Sequence, residues 1–223
     1  DDTGRRGMTG LLIKDWKLLK NQGKYFLTVI LFAGMMLFIN SWEYTSFATS
    51  YMTFLITMFA LSSFSYDEYD NGMQFLLGLP ISRKTYVKEK YLFGTILAVV
   101  TWTLSILMQM LFSGFQKPAD YVFEFPGIFP VFLAIVFLFL GYSIPFVLKY
   151  GSEKGRTISY GTLFGVFALI LILSKTDSFD TVAKLAEHVL ENGMGVLILC
   201  IVSIVFFIGS YFVSVNIVEK KEY

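Results

Sequence analysis

The sequence predicts an all-α membrane protein with six transmembrane helices, and two observations carry that prediction. First, 55% of the 223 residues are hydrophobic and only 16% are charged, whereas a soluble domain carries about 25% charged residues. Second, polar intervals separate six apolar runs, and each run approaches the length of about 20 residues that an α-helix needs to cross a bilayer. We place the spans at about residues 25–42, 47–66, 91–115, 127–148, 157–174 and 194–217.

The region before the first span is interpreted in two parts. Residues 1–7 share no pattern with the rest of the chain, so we interpret them as a remnant of cloning and treat residues 8–223 as a single transmembrane domain. In residues 8–24, Lys14, Lys17, Lys20 and Lys24 lie on the faces of the predicted helix that are not apolar. The apolar side chains of this segment fall close to one face: Leu11, Leu12, Trp16 and Leu19. This pattern predicts a short basic helix in the membrane interface; the alternative is a plain extension of the first span.

The distribution of basic residues predicts the orientation in the membrane. With six spans, both termini lie on the same side as residues 67–90 and 149–156. That side carries fifteen of the 18 Lys and Arg residues, and the excess remains without Arg5 and Arg6. The positive-inside rule therefore places both termini in the cytoplasm, and we expect a multi-pass protein of the cytoplasmic membrane. On the extracellular side, residues 175–193 have the periodicity of an amphipathic helix that lies on the membrane surface before the last span.

The longest polar interval, residues 66–91, separates the second and third spans. It carries acidic and basic residues, yet its middle is apolar enough to bury against a partner. Pro80 separates a short helix over about residues 67–77 from a second helix. Ser82 is placed to cap that second helix, which begins at Arg83 and continues into the third span. A short helix joined rigidly to two spans can carry the movement of a partner into the membrane.

The residue inventory excludes several classes of function. The sequence contains no phosphate-binding glycine loop, no nucleophile–histidine–acid pattern and no metal-ligand cluster. Its one histidine, His188, and its one cysteine, Cys200, stand apart from such groups. The spans carry almost no ionisable residues, which argues against ion-coupled transport, and a net charge of +1 indicates no nucleic-acid partner. If the protein moves a cargo, we expect the energy to enter from another chain through residues 66–91.

Polar residues inside the spans have two interpretations. Thr49, Thr53 and Thr57 recur at every fourth position of the second span, and Gln109 lies deep in the third. Hydroxyl and amide groups are ordinary contacts between transmembrane helices, but polar groups within spans also mark transport pathways. Both interpretations stay open, and we take Thr53, Thr57 and Gln109 as candidate residues of a cargo path.

The interval between the second and third spans also carries a recognisable motif. An Asp-Glu pair is followed by a short amphipathic helix, a Leu-Pro break and a helix that opens the third span. The matching residues are Asp67, Glu68, Gly78, Leu79, Pro80, Ile81, Ser82, Arg83, Tyr86, Val87, Lys90 and Tyr91. This pattern resembles the signature of small ABC-type exporter permeases, although Gly78 stands where serine is commoner. Leu11, Lys14 and Asp15 are similar to the start of that family, so the resemblance covers essentially residues 8–223.

The resemblance implies a dimer in which each copy binds a separate ATP-binding subunit. ATP and Mg²⁺ are then expected in that subunit, and no cofactor and no catalytic residue in this chain. The short helix after the second span is implied to be the coupling helix, so the partner contact is expected at Asp67, Glu68, Asp70, Met73, Phe75, Leu76, Leu77, Pro80 and Arg83. The N-terminal helix is implied to lie along the inner membrane surface.

The cargo expected from the resemblance is amphipathic or hydrophobic. Gram-positive relatives export amphipathic peptides such as phenol-soluble modulins, confer resistance to peptide antibiotics or move lipid-linked cargo. The phenol-soluble-modulin exporter permeases are the most similar in size and style, which favours a peptide. Two other classes stay open: a channel or scaffold without an ATP-binding partner, and a membrane-embedded enzyme, for which the sequence shows no intramembrane His/Glu site.

Overall fold

The computed structural model describes residues 2–38, 42–69, 72–78, 81–113, 128–174 and 193–221. These ranges contain eight α-helices: α1 (Asp2–Asn21), α2 (Gly23–Phe38), α3 (Trp42–Glu68), α4 (Gly72–Gly78), α5 (Arg83–Ser113), α6 (Ile128–Tyr150), α7 (Ser152–Leu173) and α8 (Gly193–Lys220). Within the same ranges there is no β-strand, so the all-α class is confirmed.

Five of the helices are long and apolar enough to cross a membrane: α3, α5, α6, α7 and α8. They cover the predicted second to sixth spans, which confirms an integral membrane protein. α2 is apolar but has only 16 residues. At about 1.5 Å per residue it is shorter than a hydrocarbon core of about 30 Å. The count of six spans therefore stays a prediction.

The polar interval folds with other boundaries than the sequence predicted. α3 continues through Glu68, so the expected helix over residues 67–77 does not begin at Asp67; the separate short helix begins at Gly72. An added Cβ at Gly72 would lie 2.7 Å from the carbonyl oxygen of Asp67. Glycine therefore permits the close approach of α4 to the end of α3.

The predicted start of α5 is confirmed. Its helix begins at Arg83, and the Ser82 Oγ accepts a hydrogen bond from the backbone N–H of Thr85 at 3.1 Å. The carbonyl oxygen of Ser82 also accepts a hydrogen bond from the Tyr86 N–H at 3.1 Å. A serine that satisfies an N–H group in the first turn is the expected N-cap.

The first helix buries a charged residue against the rest of the protein. α1 begins at Asp2, upstream of Met8, where the predicted domain begins. Trp16 was expected on the apolar face with Leu11, but its side chain is 55% exposed. Asp15 occupies the next turn of the buried face after Leu11 and meets charged groups of α3 and α5. The interfacial position of the helix stays a prediction. The amphipathic helix predicted over residues 175–193 stays a prediction, since residues 175–192 lie outside the described ranges.

The main apolar core lies between α3, α5, α6 and α8. Phe64 of α3, Val87 of α5, Leu140 and Ile144 of α6, and Val218 of α8 are all buried in it. Such helix pairs are held in a bilayer by close packing and polar contacts, because lipid tails are as apolar as the side chains. This core includes the ends of α3 and α8 and the start of α5, where the charged residues lie.

Among the described residues, α7 is buried only in its first turns. Ser152, Gly155 and Ser159 are buried, whereas residues 161–174 are all exposed. A single residue, Gly151, joins α6 to α7 with a φ of 86°, a conformation that favours glycine. An added Cβ at Gly155 would lie 2.7 Å from the backbone nitrogen of Val147, so the two helices touch through their backbones.

We expect Gly155→Ala to lower the midpoint of thermal unfolding in detergent. The new methyl group must displace the backbone of α6, and overpacking of this kind costs about 1–3 kcal/mol. Gly161→Ala is the matched control, because nothing lies within 4 Å of its added Cβ. Equal melting temperatures for the two variants would contradict the close approach of α6 and α7.

Candidate functional site

A buried ion-pair cluster joins α1, α3 and α5. Lys90 of α5 is only 1% exposed, and its Nζ lies 2.6 Å from Asp15 Oδ2 of α1 and 2.6 Å from Asp67 Oδ2 of α3. Ser63 Oγ accepts a hydrogen bond from the same Nζ at 3.0 Å. Lys14 lies on the more exposed side, where it pairs with both carboxylates. Three helices are thereby connected through one ammonium group.

Aromatic rings enclose the cluster. The Tyr86 hydroxyl donates a hydrogen bond to Asp67 Oδ2 at 3.1 Å. The Lys90 Nζ lies 5.1 Å from the centre of the Phe64 ring and 5.5 Å from that of Tyr86, both within cation–π range. Because water is largely excluded, the attraction between the charges is stronger than at a surface. For the same reason, removal of one partner leaves a buried charge without compensation.

Glu89 is a further carboxyl at the edge of the cluster. It is fully buried, and neither of its oxygens forms a hydrogen bond with a described residue. The Lys90 Nζ lies 3.9 Å from Glu89 Oε2. An ionised carboxylate without hydrogen bonds is costly in such a place. With Asp15 and Asp67, Glu89 brings the acidic groups of the cluster to three, against the two lysines Lys14 and Lys90.

The electrostatic balance at Asp15 favours the ionised form. Burial raises the pKa of Asp15, but the ammonium groups of Lys90 and Lys14 lower it by more, so that its pKa lies below the usual value. Sequence analysis noted Asp15 only as part of a resemblance and did not place it in a site. The sequence did contain a signal that Asp15 is buried: it lies four residues from both Leu11 and Leu19, and therefore on the same face of α1 as these two apolar residues.

The Asp-Glu pair at the end of α3 points to two different parts of the molecule. Asp67 belongs to the ion-pair cluster, whereas Glu68 Oε2 accepts a hydrogen bond from the Ser152 backbone N–H at 2.7 Å. This carboxylate caps the start of α7 from another helix, and negative charge is favourable at a helix N-terminus. The absence of a side chain at Gly151 leaves room for it, since an added Cβ would lie 3.4 Å from Glu68 Oε2.

Arg83 connects the start of α5 to the end of α8. Its guanidinium donates hydrogen bonds to the carbonyl oxygens of Val218, Glu219 and Lys221 at 3.0, 3.1 and 2.7 Å. Carbonyl groups in the last turn of a helix lack partners within that helix, so a cation satisfies them well. Lys221 in turn donates to Leu148 O of α6 at 2.9 Å. Arg83, expected at a partner contact, thus lies at an internal one.

The short helix α4 has one buried and one exposed side. Met73 is buried in the core and Leu76 packs partly against it. Phe75 points the other way and is 72% exposed. Three expected contact groups, Asp70, Pro80 and the side chain of Leu77, lie outside the described residues. Of the predicted contact residues that the structure describes on α4, Phe75 offers the largest free surface.

The candidate path residues are buried between helices of this chain. Thr53 donates a hydrogen bond to the carbonyl oxygen of Thr49 at 2.8 Å. Among the described residues, neither the Thr57 hydroxyl nor the Gln109 amide has a hydrogen-bond partner. α5 carries a second polar stripe that sequence analysis missed: Thr101, Ser105 and Gln109, all buried. These three residues recur at every fourth position, and this spacing could have revealed the stripe from the sequence.

Metal binding finds no support in the described part of the chain, where no group of three His, Cys, Asp or Glu residues could hold an ion.

Comparison with known proteins gives one match. The family model described as ABC-2 family transporter protein matches residues 10–219, which include most of α1 and all of α2 to α7. No curated protein and no solved structure matches the chain.

We expect Lys90→Met to destabilise the fold by about 3–5 kcal/mol, because it removes the buried cation between Asp15 and Asp67 and leaves only the part-exposed Lys14 to compensate two buried carboxylates. Lys88→Met is the matched control: this lysine is exposed on the same helix, and its replacement should change stability by no more than about 0.5 kcal/mol. Denaturant unfolding in detergent measures both. Similar stability of the two variants would show that the cluster does not hold the helices together.

The stability of the protein is expected to fall in acid through Asp15. Because the folded-state pKa of Asp15 lies below its usual value of 3.8, its stabilising contribution is complete above that pH and is lost as the pH decreases further. Melting temperatures measured from pH 5 downwards to below pH 3 should drop more steeply for the wild type than for Asp15→Asn. Parallel curves would contradict the assignment.

Proposed function

The chain belongs to the ABC-2 transporter family, and we propose that it works as the permease of an exporter whose ATP-binding subunit is a separate chain. ATP and Mg²⁺ bind to that subunit, and this chain supplies the membrane path. The observation that carries the proposal is α4, a short helix with an exposed aromatic side chain on one side and a core contact on the other.

The contacts of α4 offer a route for movement into the membrane helices. Met73 ties α4 to the core, and Gly72 lies against the backbone of Asp67 at the end of α3. Asp67 is paired with Lys90, so a push on α4 acts on α3, α5 and α1 together. Arg83 extends the same route to α8. A helix anchored in this way transmits force that a loose loop would absorb.

The expected partner residues therefore take two roles in the proposal. Phe75, with Leu76 beside it, makes the contact with the ATP-binding subunit. Asp67, Met73 and Arg83 transmit its movement from within the permease, since their side chains already have partners in the core or at the end of α8. Glu68 holds the start of α7 in the same assembly.

A second copy of the permease is part of the proposal. The apolar side chains of α7 beyond its first turns are exposed in the described part of the chain, and a dimer or lipid covers them. The cargo is an amphipathic or hydrophobic peptide. It passes between α3 and α5 when these two helices move apart. There, Thr53, Thr57 and Gln109 supply polar groups, two of which lack hydrogen bonds to described residues.

The orientation follows from the basic residues. We place both termini in the cytoplasm and α2 as the first of six spans, with α1 along the inner membrane surface. The exposed side of α1 supports this position, because Ile13 and Trp16 stand beside Lys17 and Lys20. A face with apolar side chains and lysines suits the boundary between lipid tails and headgroups.

The contact of α4 is tested with Phe75→Ala. Loss of an aromatic anchor at the centre of an interface costs at least about 2 kcal/mol, so the affinity of the ATP-binding subunit should fall about 30-fold. Tyr25→Ala is the control, because this ring on α2 is also 72% exposed. Both variants should retain the wild-type melting temperature.

Affinity is measured by titrating the ATP-binding subunit against detergent-solubilised permease. Unchanged binding by Phe75→Ala would refute α4 as the contact. If no ATP-binding subunit copurifies with the wild-type chain, a channel or scaffold becomes the better assignment.

A further inference from the structure

A polar cleft lies beside the end of α3, on the side opposite the ion-pair cluster. It is formed by the last turn of α3 and by the connection between α6 and α7, and its volume is about 470 Å³. Tyr69, Tyr150, Lys154 and Arg156 are among its lining residues. Sites for small molecules occupy about 300–1,000 Å³, so the cleft has room for a compact polar group.

The depth of the cleft corresponds to the membrane surface. Three membrane-length helices end or begin at its wall: α3 at Glu68, α6 at Tyr150 and α7 at Ser152. The level at which apolar spans end is the level of lipid headgroups. Tyr69 is 74% exposed and Tyr150 is half-exposed, and tyrosine side chains are enriched at this boundary.

The cleft holds two cations that are available to an anion. The Glu68 carboxylate is already used by the Ser152 N–H at 2.7 Å. Lys154 and Arg156 form no salt bridge with any described residue, although two acids, Glu68 and Glu153, share the lining with them. Arg156 donates one hydrogen bond from Nε to Ser152 O at 3.2 Å, which holds the side chain and leaves its two terminal nitrogens for a ligand.

A buried hydroxyl adds a further donor to the wall. Ser65 lines the cleft, and its Oγ is buried without a hydrogen-bond partner among the described residues. A buried hydroxyl without a partner is costly, and such groups are satisfied by water or a ligand. The hydroxyl and the two cations come from different helices, so a ligand that binds all three bridges α3 and α7.

We propose that this cleft binds the phosphate group of an anionic phospholipid. Lys154 and Arg156 pair with the phosphate, Ser65 hydrogen-bonds to the polar headgroup, and the tyrosine rings lie against its glycerol region. Basic pockets between transmembrane helices bind lipid headgroups in this manner. The lipid holds the end of α3 to the start of α7, next to the residues that lead to α4.

Two other ligands would satisfy part of the same chemistry. A soluble phosphate would use both cations but would gain nothing from a cleft at headgroup depth. An acidic segment of a partner protein would reach the tyrosines more easily than the buried hydroxyl. Depth and the buried Ser65 favour the lipid, and this inference does not depend on the proposed function.

The experiment measures how phosphatidylglycerol raises the melting temperature of the purified full chain in phosphatidylcholine-containing detergent micelles. The wild type should be stabilised in a saturable manner. In the double variant Lys154→Gln/Arg156→Gln, the apparent affinity for phosphatidylglycerol should fall about 25-fold, since each basic residue near a membrane contributes about fivefold. Lys88→Gln is the matched control, because Lys88 is exposed and outside the cleft.

The control should keep the wild-type response, and inorganic phosphate at millimolar concentration should stabilise none of the proteins. The proposal is overturned if the double variant responds as the wild type does, or if inorganic phosphate reproduces the effect. It is also overturned if the variant loses only the binding of a copurifying protein and keeps the lipid response. Should the double variant fail to fold, Lys154→Gln alone, at an exposed position, must show the fivefold loss.

Discussion

The rest of the structure depends on one buried ammonium group held between two carboxylates. Lys90 joins Asp15 and Asp67, and thereby three separate helices of the chain. In a bilayer the hydrophobic effect does not draw these helices together, so directed polar contacts carry more of the specificity. Ion pairs also impose a geometry, because even a small movement of the helices away from each other leaves buried charges without compensation. The position of the short helix α4 depends on this geometry, since α4 lies in the chain between Asp67 and Lys90.

The two acids at the end of α3 divide the molecule into connected parts. Asp67 faces α1 and α5, whereas Glu68 caps α7. Arg83 then links α5 to the last carbonyl groups of α8, and Lys221 links that end to α6. One end of the bundle is therefore bound together by charged groups with defined partners. The exposed part of α7 beyond residue 160 lies away from this end.

The proposed lipid cleft and the proposed partner contact are neighbours at this end. Glu68 forms part of the cleft wall, and its neighbour Asp67 leads through the ion-pair cluster to α4. A ligand that draws α3 towards α7 thus acts on the same turn of α3 that a partner would move through α4. This adjacency gives a physical reason for the composition of the membrane to influence such a transporter, because both ligands change the free energy of one structural element.

The sequence by itself determined the all-α class, five of the spans and the start of α5, because apolar length and a serine cap are local properties. Only the tertiary structure decided which charges are internal. In the sequence, Asp15, Glu89 and Lys90 have the pattern of ordinary solvated residues at a membrane boundary. Their burial depends on partners in other helices, such as Lys90 for Asp15, 75 positions along the chain, and periodicity carries no information on contacts between different helices. For the same reason the sequence could not show that Met73 faces the core and that Trp16 does not: a helical pattern defines a face, but the neighbouring helices decide which face is covered.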